Sequence, residues 1–338
     1  MSKLNIGLIG AGGISLYSHM PSFSKNPYVE VSAVADPNLE AANRIAENFG
    51  VDKVTDDYHA ILSDGNIDTV DICVPHNLHY RLVMDALNAG KDVILEKPIS
   101  MNLEEADEMI ATADKVGKRL LVSLNQRFLP IHRKVKDMLE DGRIGKPFLA
   151  NLIILGNVVG DLNNPSNWRG KWDESGGGAL FDSGTHVIDI MRYWFGEPTA
   201  VTAVLKNLVC TEKCKADDNA SVIFEYDDNL IVNIGVSFSI ENEPWSEKKF
   251  IYGSGGNVTV INEAATPMFY LKANAPELID VEHNANWQSW SVDKALTHFV
   301  DVLRGEAEPF VTAREARETL RMILGAYQAS KEGRRIAL

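Results

Sequence analysis

Cysteine is scarce in this chain: Cys73, Cys210 and Cys214 are the only three in 338 residues. An odd, sparse set builds no disulfide framework and fits a reducing compartment. The Cys210-x3-Cys214 pair has no histidine beside it, so no metal site is expected. Basic charge is also short. Lys and Arg number 33 against 47 Asp and Glu, a formal net charge of −14, which argues against nucleic acid or an anionic membrane as partner. No apolar run approaches the roughly 20 residues of a membrane helix. The opening stretch Leu4-Asn5-Ile6-Gly7-Leu8-Ile9-Gly10 is too short and too glycine-rich for a signal-peptide core. A soluble, cytoplasmic protein is the expectation. Hydrophobic residues at 45% and charged residues at 24% are near the globular average and exclude disordered, collagen-like and coiled-coil chains. The length suggests about two domains.

What is present falls into two patterns. In the first, short apolar runs predict strands at Leu4–Ile9, Val29–Ala35, 69–74, Asp92–Leu95 and 119–124. Amphipathic stretches between them predict helices from about Ile14 past His19, at Leu39–Phe49, at His79–Asn88, and from an N-cap at Ser100 to about 116. This alternation implies βαβ units and a doubly wound parallel sheet, with ligands beyond the carboxyl ends of the strands. After about residue 125 the pattern changes. Strands are predicted at 148–155, 200–209, 220–226, 230–239, 249–252 and 257–261, with helices at 130–141, 185–195, 290–303 and 314–331. That half reads as an α+β domain on a large, mostly antiparallel sheet. The expected division is a doubly wound α/β domain over 1–124 and an α+β domain over 125–338.

Three segments carry chemistry. Gly10-Ala11-Gly12-Gly13-Ile14-Ser15 follows a strand and opens a helix, the setting of a dinucleotide fingerprint. Gly10 permits the tight turn, Gly12 lets the backbone approach a pyrophosphate, and the helix N-terminus offers N–H donors. Ser15 stands at the third glycine position. The next strand ends at Asp36, 24 residues beyond Gly12, close to the ~20-residue offset of a ribose-binding acid. Its carboxylate accepts from both ribose hydroxyls of NAD and repels the 2′-phosphate of NADP, so NAD is expected. Glu96-Lys97-Pro98 and Val74-Pro75-His76-Asn77-Leu78-His79 end two further strands on the same edge. A lysine there can stabilise negative charge developing on a substrate oxygen. Gly176-Gly177-Gly178 then leads to Asp182 and His186, four apart. On a helix they share a face, and the carboxylate can orient the imidazole as a general base.

In this order and spacing the three segments resemble the Gfo/Idh/MocA oxidoreductases, which include inositol dehydrogenases and glucose–fructose oxidoreductase. The likeness runs along essentially the whole chain. It implies a Rossmann domain followed by a substrate-binding domain whose open sheet serves oligomer contacts. It also implies catalytic roles for Lys97, Asp182 and His186, and cofactor contacts at Gly10, Gly12, Gly13, Ile14, Asp36, Pro75, His76, Asn77, Glu96 and Lys97. One motif departs from the family, whose usual reading is Pro-Asn-x-x-His. Pro75 and His79 match, but His76 takes the Asn position and Asn77 follows it.

The expected activity is NAD-dependent oxidation of a secondary hydroxyl of a sugar, cyclitol or related polyol. Arg127, Asn157 and Trp168, with Arg169, are candidates for holding the substrate. Arg127 reads equally well as a salt bridge, and Trp168 and Trp172 as packing under a loop. Two other readings stay open: an NAD-retaining enzyme that oxidises a sugar transiently to drive elimination or glycoside cleavage, and a dinucleotide-sensing regulator without turnover. A homodimer or homotetramer through the open sheet is the expected assembly.

Overall fold

Glycine-punctuated apolar runs produce six strands in the first sheet: β1 (Leu4–Ile9), β2 (Val29–Ala35), β3 (Lys53–Thr55), β4 (Thr69–Ile72), β5 (Asp92–Leu95) and β6 (Leu120–Val122). In the computed structural model, which describes residues 3–211, 214–241, 245–264, 268–272 and 275–338, their order is β3-β2-β1-β4-β5-β6 and every pair is parallel. Strand order reverses between β1 and β4, and ligands of such sheets bind at that switch point, beyond the carboxyl ends. The segments 10–15, 73–79 and 96–98 all leave the sheet at this edge. Helices pack on both faces, so the central strands read as continuous apolar runs. Leu8, Val34, Val70, Ile72, Val93 and Ile94 are fully buried.

The chain divides into two compact units: one runs to Asn125 and takes in Gln288–Arg317, and the other comprises Gln126–Trp287 and Glu318–Leu338. Within the first, three local features differ from the sequence expectation. Edge strand β3 and the helix Tyr58–Leu62 were not anticipated, because three residues of Lys-Val-Thr are too few to show a period. Asn102, not Ser100, caps the helix Leu103–Val116, accepting a hydrogen bond from Glu105 N at 2.9 Å. Ser100 still belongs to the strand-end turn, and its hydroxyl donates to Asn102 O. The helix after the glycine turn carries a five-residue π turn, Ser15–His19, before it becomes α-helical at Met20–Lys25.

The second unit holds β7 (Pro147–Leu155), β8 (Ala200–Lys206), β9 (Asn219–Glu225), β10 (Ile231–Ser237), β11 (Ser246–Gly253), β12 (Gly256–Ile261), β13 (Met268–Lys272), β14 (Ala275–Leu278) and β15 (Ile336–Ala337). Their order is β14-β13-β12-β11-β7-β10-β9-β8-β15. Only β7 and β10 pair in parallel. The last three strands have two to five residues, too short for visible alternation. The predicted strand 200–209 stops at Lys206 because the Asp218 carboxylate accepts the amides of Leu208, Val209 and Cys210 and bends the chain away. On one sheet face Ala150, Leu152, Ile154, Val222, Phe224, Val232 and Ile234 are buried, and the helix Gly184–Phe195 packs against β7 and β10. The other face carries Ile223, Asn233, Asn151, Phe250 and Thr259 in one transverse row of paired positions. Ile223 and Ile231 there are 40% and 45% exposed.

Candidate functional site

In the first unit the glycine turn is fixed by contacts that leave its outer side open. Gly10 has φ +101°, and a Cβ on it would lie 2.1 Å from Cys73 O, so no other residue fits. Its amide donates to Ala35 O. Ser15 is buried and turns its hydroxyl back to Gly10 O at 2.7 Å, which is how a serine is accommodated at the third glycine position. Gly12, Gly13 and Ile14 are exposed at the start of the helix. No protein atom lies within 4 Å of where a Gly12 Cβ would sit, and the first-turn amides of a helix have no intrahelical partner. That combination fits an approaching pyrophosphate. Asp36 closes the same edge: its Oδ2 accepts from Ala11 N at 2.7 Å and its Oδ1 from Asn38 N at 2.8 Å.

The neighbouring strand ends are tied to each other. His79 is fully buried, with Nδ1 2.8 Å from Pro98 O and Nε2 3.0 Å from Val74 O. Burial pushes this histidine below its ordinary pKa, against the pull of the two carbonyls, and a neutral ring donates to one of them, of which Pro98 O is the nearer. The ring sits between the turn of Pro75 and the cis Lys97-Pro98 peptide. His76 is buried with its ring 5.6 Å from that of His79, and Asn77 beside it is exposed. Lys97 is partly exposed. Glu96 turns inward, and its Oε1 accepts from His19 Nε2 at 3.2 Å.

In the second unit, every residue from Gly177 to Arg192 is buried except Asp182 and His186. The segment is helical over Ala179–Asp182, passes through Ser183 in right-handed geometry and continues as Gly184–Phe195, so the two residues keep their four-residue spacing along one face. Two residues that no motif signals hold the segment in place. The Asp217 carboxylate accepts from Gly178 N at 2.9 Å, Leu180 N at 3.0 Å and the Tyr327 hydroxyl. A Cβ on Gly178 would lie 1.8 Å from Asp217 O, so the close approach demands glycine.

The three candidate substrate residues fare differently. Trp168 lies under Arg169, whose guanidinium carbon is 4.6 Å from the ring centroid, and Arg169 Nε donates to Asp182 Oδ2 at 3.2 Å. The structure thus brings Trp168 and Arg169 to Asp182. Asn157 is exposed, but its Oδ1 accepts from Val159 N and starts the helix Val159–Asn163. Arg127 is 3% exposed, and both its Nε and Nη2 donate to Asp189, at 2.8 and 2.7 Å. Its guanidinium is committed to this buried pair, so Arg127 is not offered to a substrate. A lone arginine after a strand carries no sign of a partner 62 positions later.

Two family models cover most of the chain: an oxidoreductase family with an NAD-binding Rossmann fold over residues 4–124, and a GFO/IDH/MocA C-terminal domain over residues 132–259. Levoglucosan dehydrogenase of Pseudarthrobacter phenanthrenivorans is 36% identical over 216 residues, 62% of this chain and 55% of that protein. Myo-inositol 2-dehydrogenase of Thermotoga maritima is 30% identical over 194 residues, 57% of this chain and 55% of that enzyme. The chain thus spans just over half the length of these curated relatives. A solved levoglucosan dehydrogenase in complex with NADH shares the fold, with a TM-score of 0.88, 22% identity and 99% of both chains covered. Among the described residues no helix is long and apolar enough to cross a membrane.

Proposed function

The chain belongs to the Gfo/Idh/MocA oxidoreductases, and from that premise we propose that it is an NAD-dependent dehydrogenase oxidising a secondary hydroxyl of a sugar, cyclitol or related polyol. The observation that carries this reading is the pair Asp182 and His186, the two residues left accessible in an otherwise buried sixteen-residue segment. His186 takes the hydroxyl proton as general base. Lys97 donates a hydrogen bond to the same oxygen and steadies its charge as the carbonyl forms. Asp182, shared with Arg169, orients the imidazole or holds a neighbouring hydroxyl. Trp168 offers an apolar ring face to the sugar. NAD, when bound, supplies the hydride acceptor; Gly12, Gly13 and Ile14 would hold its pyrophosphate and Asp36 its adenosine ribose, with Pro75, His76, Asn77 and Glu96 at the strand ends beside them.

The test is NADH absorbance against a panel of sugars, anhydrosugars and inositols. Stoichiometric NADH with at least one polyol is expected. Product formed without NADH release would favour the NAD-retaining alternative, and tight NAD binding without turnover on any polyol would leave a regulator. Coenzyme choice gives a second prediction. Asp36→Ser removes an acceptor to the ribose hydroxyls, a charge-assisted contact of about 1.5–3 kcal/mol, so preference for NAD over NADP is expected to fall by roughly 10- to 150-fold. An unchanged ratio of kcat/KM for the two coenzymes would remove Asp36 from the ribose site.

The open sheet face is the proposed homo-oligomer contact. Its transverse row mixes Ile223 and Phe250 with an Asn233–Asn151 side-chain hydrogen bond of 2.9 Å, the apolar-with-polar composition of an isologous interface. The wild type is expected to sediment as a dimer or tetramer, and Ile223→Arg with Phe250→Arg as a monomer with unchanged circular dichroism. Retention of the wild-type mass would place the contact elsewhere.

A further inference from the structure

The first unit buries a chain of ionisable groups that the proposed chemistry does not use. Asp71 lies in β4, in the middle of the sheet, and is fully buried, as is His19 in the π turn. His19 Nδ1 is 2.8 Å from Asp71 Oδ2, and Nε2 is 3.2 Å from Glu96 Oε1. Cys73 Sγ lies 3.4 Å from His19 Nδ1 and 3.6 Å from Asp71 Oδ2, and the edge of the ring meets Phe23. These distances speak to protonation. A neutral imidazole has one N–H, so one of the two carboxylates would face a ring lone pair. Only an imidazolium donates to both.

The group that charges here is surrounded by Asp71, Cys73 and Glu96. Burial is the largest single influence and disfavours the imidazolium, but the charge and hydrogen bond of Asp71 together with those of Cys73 outweigh it and hold His19 well above 6.5. Burial likewise works against the Glu96 carboxylate, and the hydrogen bond and charge of His19, with Lys97 beyond, bring it down to about 2. The Cys73 thiol is pushed up to about 12 by burial and by Asp71, so it stays protonated. His19, Asp71 and Cys73 offer ligand atoms within 4.8 Å of one another. Even so, 2.8 Å between imidazole and carboxylate is a hydrogen-bond length. It is shorter than the roughly 3.3 Å that separates two ligands of a tetrahedral zinc with bonds of about 2.0 Å.

We propose that His19 is a positioning residue: bridging Asp71 and Glu96 as an imidazolium, it fixes the turn that carries Lys97 to the reacting oxygen. The inference rests on the role given to Lys97 above. The turn is anchored on both sides of that lysine. Glu96 is held through its amide to Ile72 O and through its side chain to His19, and Pro98 is held through its carbonyl to His79. Lys97 leaves the backbone between the two anchors. A buried carboxylate such as Asp71 is costly unless it is paired, and the pairing here runs directly to the catalytic turn.

The sign of the pH dependence follows. A histidine raised on folding stabilises fully below about 6.5 and loses that contribution as pH rises through its folded value. The carboxylate depressed to about 2 loses its contribution only in strong acid. The bridge therefore opens on the alkaline side. In the wild type, imidazole nitrogen NMR at about pH 8, where ordinary histidines are neutral, is expected to show His19, assigned by loss of its signals in His19→Gln, doubly protonated. His19→Gln is expected to lower kcat about tenfold or more, with KM for NAD within roughly threefold, and to remove the alkaline limb of the kcat profile. Labelling of Lys97 by an amine reagent, read by peptide mass, is expected to shift by roughly threefold or more in the same variant. Eight singly protonated rings at that pH would overturn the bridge even if His19→Gln does not fold. Wild-type kcat, pH profile and Lys97 labelling in a folded His19→Gln would overturn the positioning role while the dehydrogenase reading stands. A wild type inactive on every polyol defeats that reading instead, and the NMR and labelling results still decide the role of His19.

Discussion

Turnover by His186→Ala is expected to fall by a factor of about 10²–10⁴, the range a well-placed general base contributes. The expectation follows from where the ring sits. It is a partly accessible histidine in a stretch of helix whose other side chains, Asp182 apart, are packed away, and Gly178 and Asp217 lock the start of that stretch. Lys97→Ala should cost a further hydrogen bond to the developing oxyanion, about 10²–10³ in kcat. The two losses should not multiply, because groups that act on one oxygen are not independent. NADH binding, followed by fluorescence, should survive His186→Ala, since the glycine turn and Asp36 belong to the other unit. A kcat within threefold of wild type, roughly the scatter of such measurements, in both variants would show that the chemistry lies elsewhere in the chain.

The second large effect is on stability. Arg127→Met is expected to lower the unfolding free energy of the second unit by about 3–5 kcal/mol, because it strands a buried carboxylate. Asp189 is 1% exposed, and besides Arg127 it accepts only the Thr319 hydroxyl among the contacts described, at 3.1 Å. Arg127 also lies over the Tyr193 ring, its guanidinium carbon 5.4 Å from the centroid. Adding Asp189→Leu to Arg127→Met should recover most of the loss, since replacing both members of a buried ion pair with apolar groups is often near neutral. Urea melts of the single and double variants measure this. A single variant within about 1 kcal/mol of wild type would mean that Asp189 finds water or a proton without its partner.

Much of the fold and part of the site were legible in the residues, and the division has a physical basis. Leu4–Ile9, Val29–Ala35 and Asp92–Leu95 declared themselves because both sides of a parallel strand are buried, so the run is unbroken. Asp182 and His186 stood out as candidates because they lie four apart, and Gly10 and Asp36 because they end successive strands. Partnerships across long stretches were not. Arg127 and Asp189 lie 62 positions apart, and the same arginine could equally have faced a ligand. His19 meets Asp71 and Glu96 from 52 and 77 positions away. Asp217 sits in a sequence of ordinary loop residues, and only its three acceptor contacts reveal it as the pin of the segment that carries Asp182 and His186.

The π turn at Ser15–His19 gives the first helix an out-of-phase junction. It takes one residue more than an α turn, so the glycines before it and the imidazole at its end are rotated relative to each other by about 100° from a regular helix. Deleting a single residue such as Tyr17 would leave a well-formed helix with almost the same composition. The chain could then keep its exposed first-turn amides or its buried His19 ring in place, but not both, and so the residue count of this short segment constrains it as tightly as residue identity does.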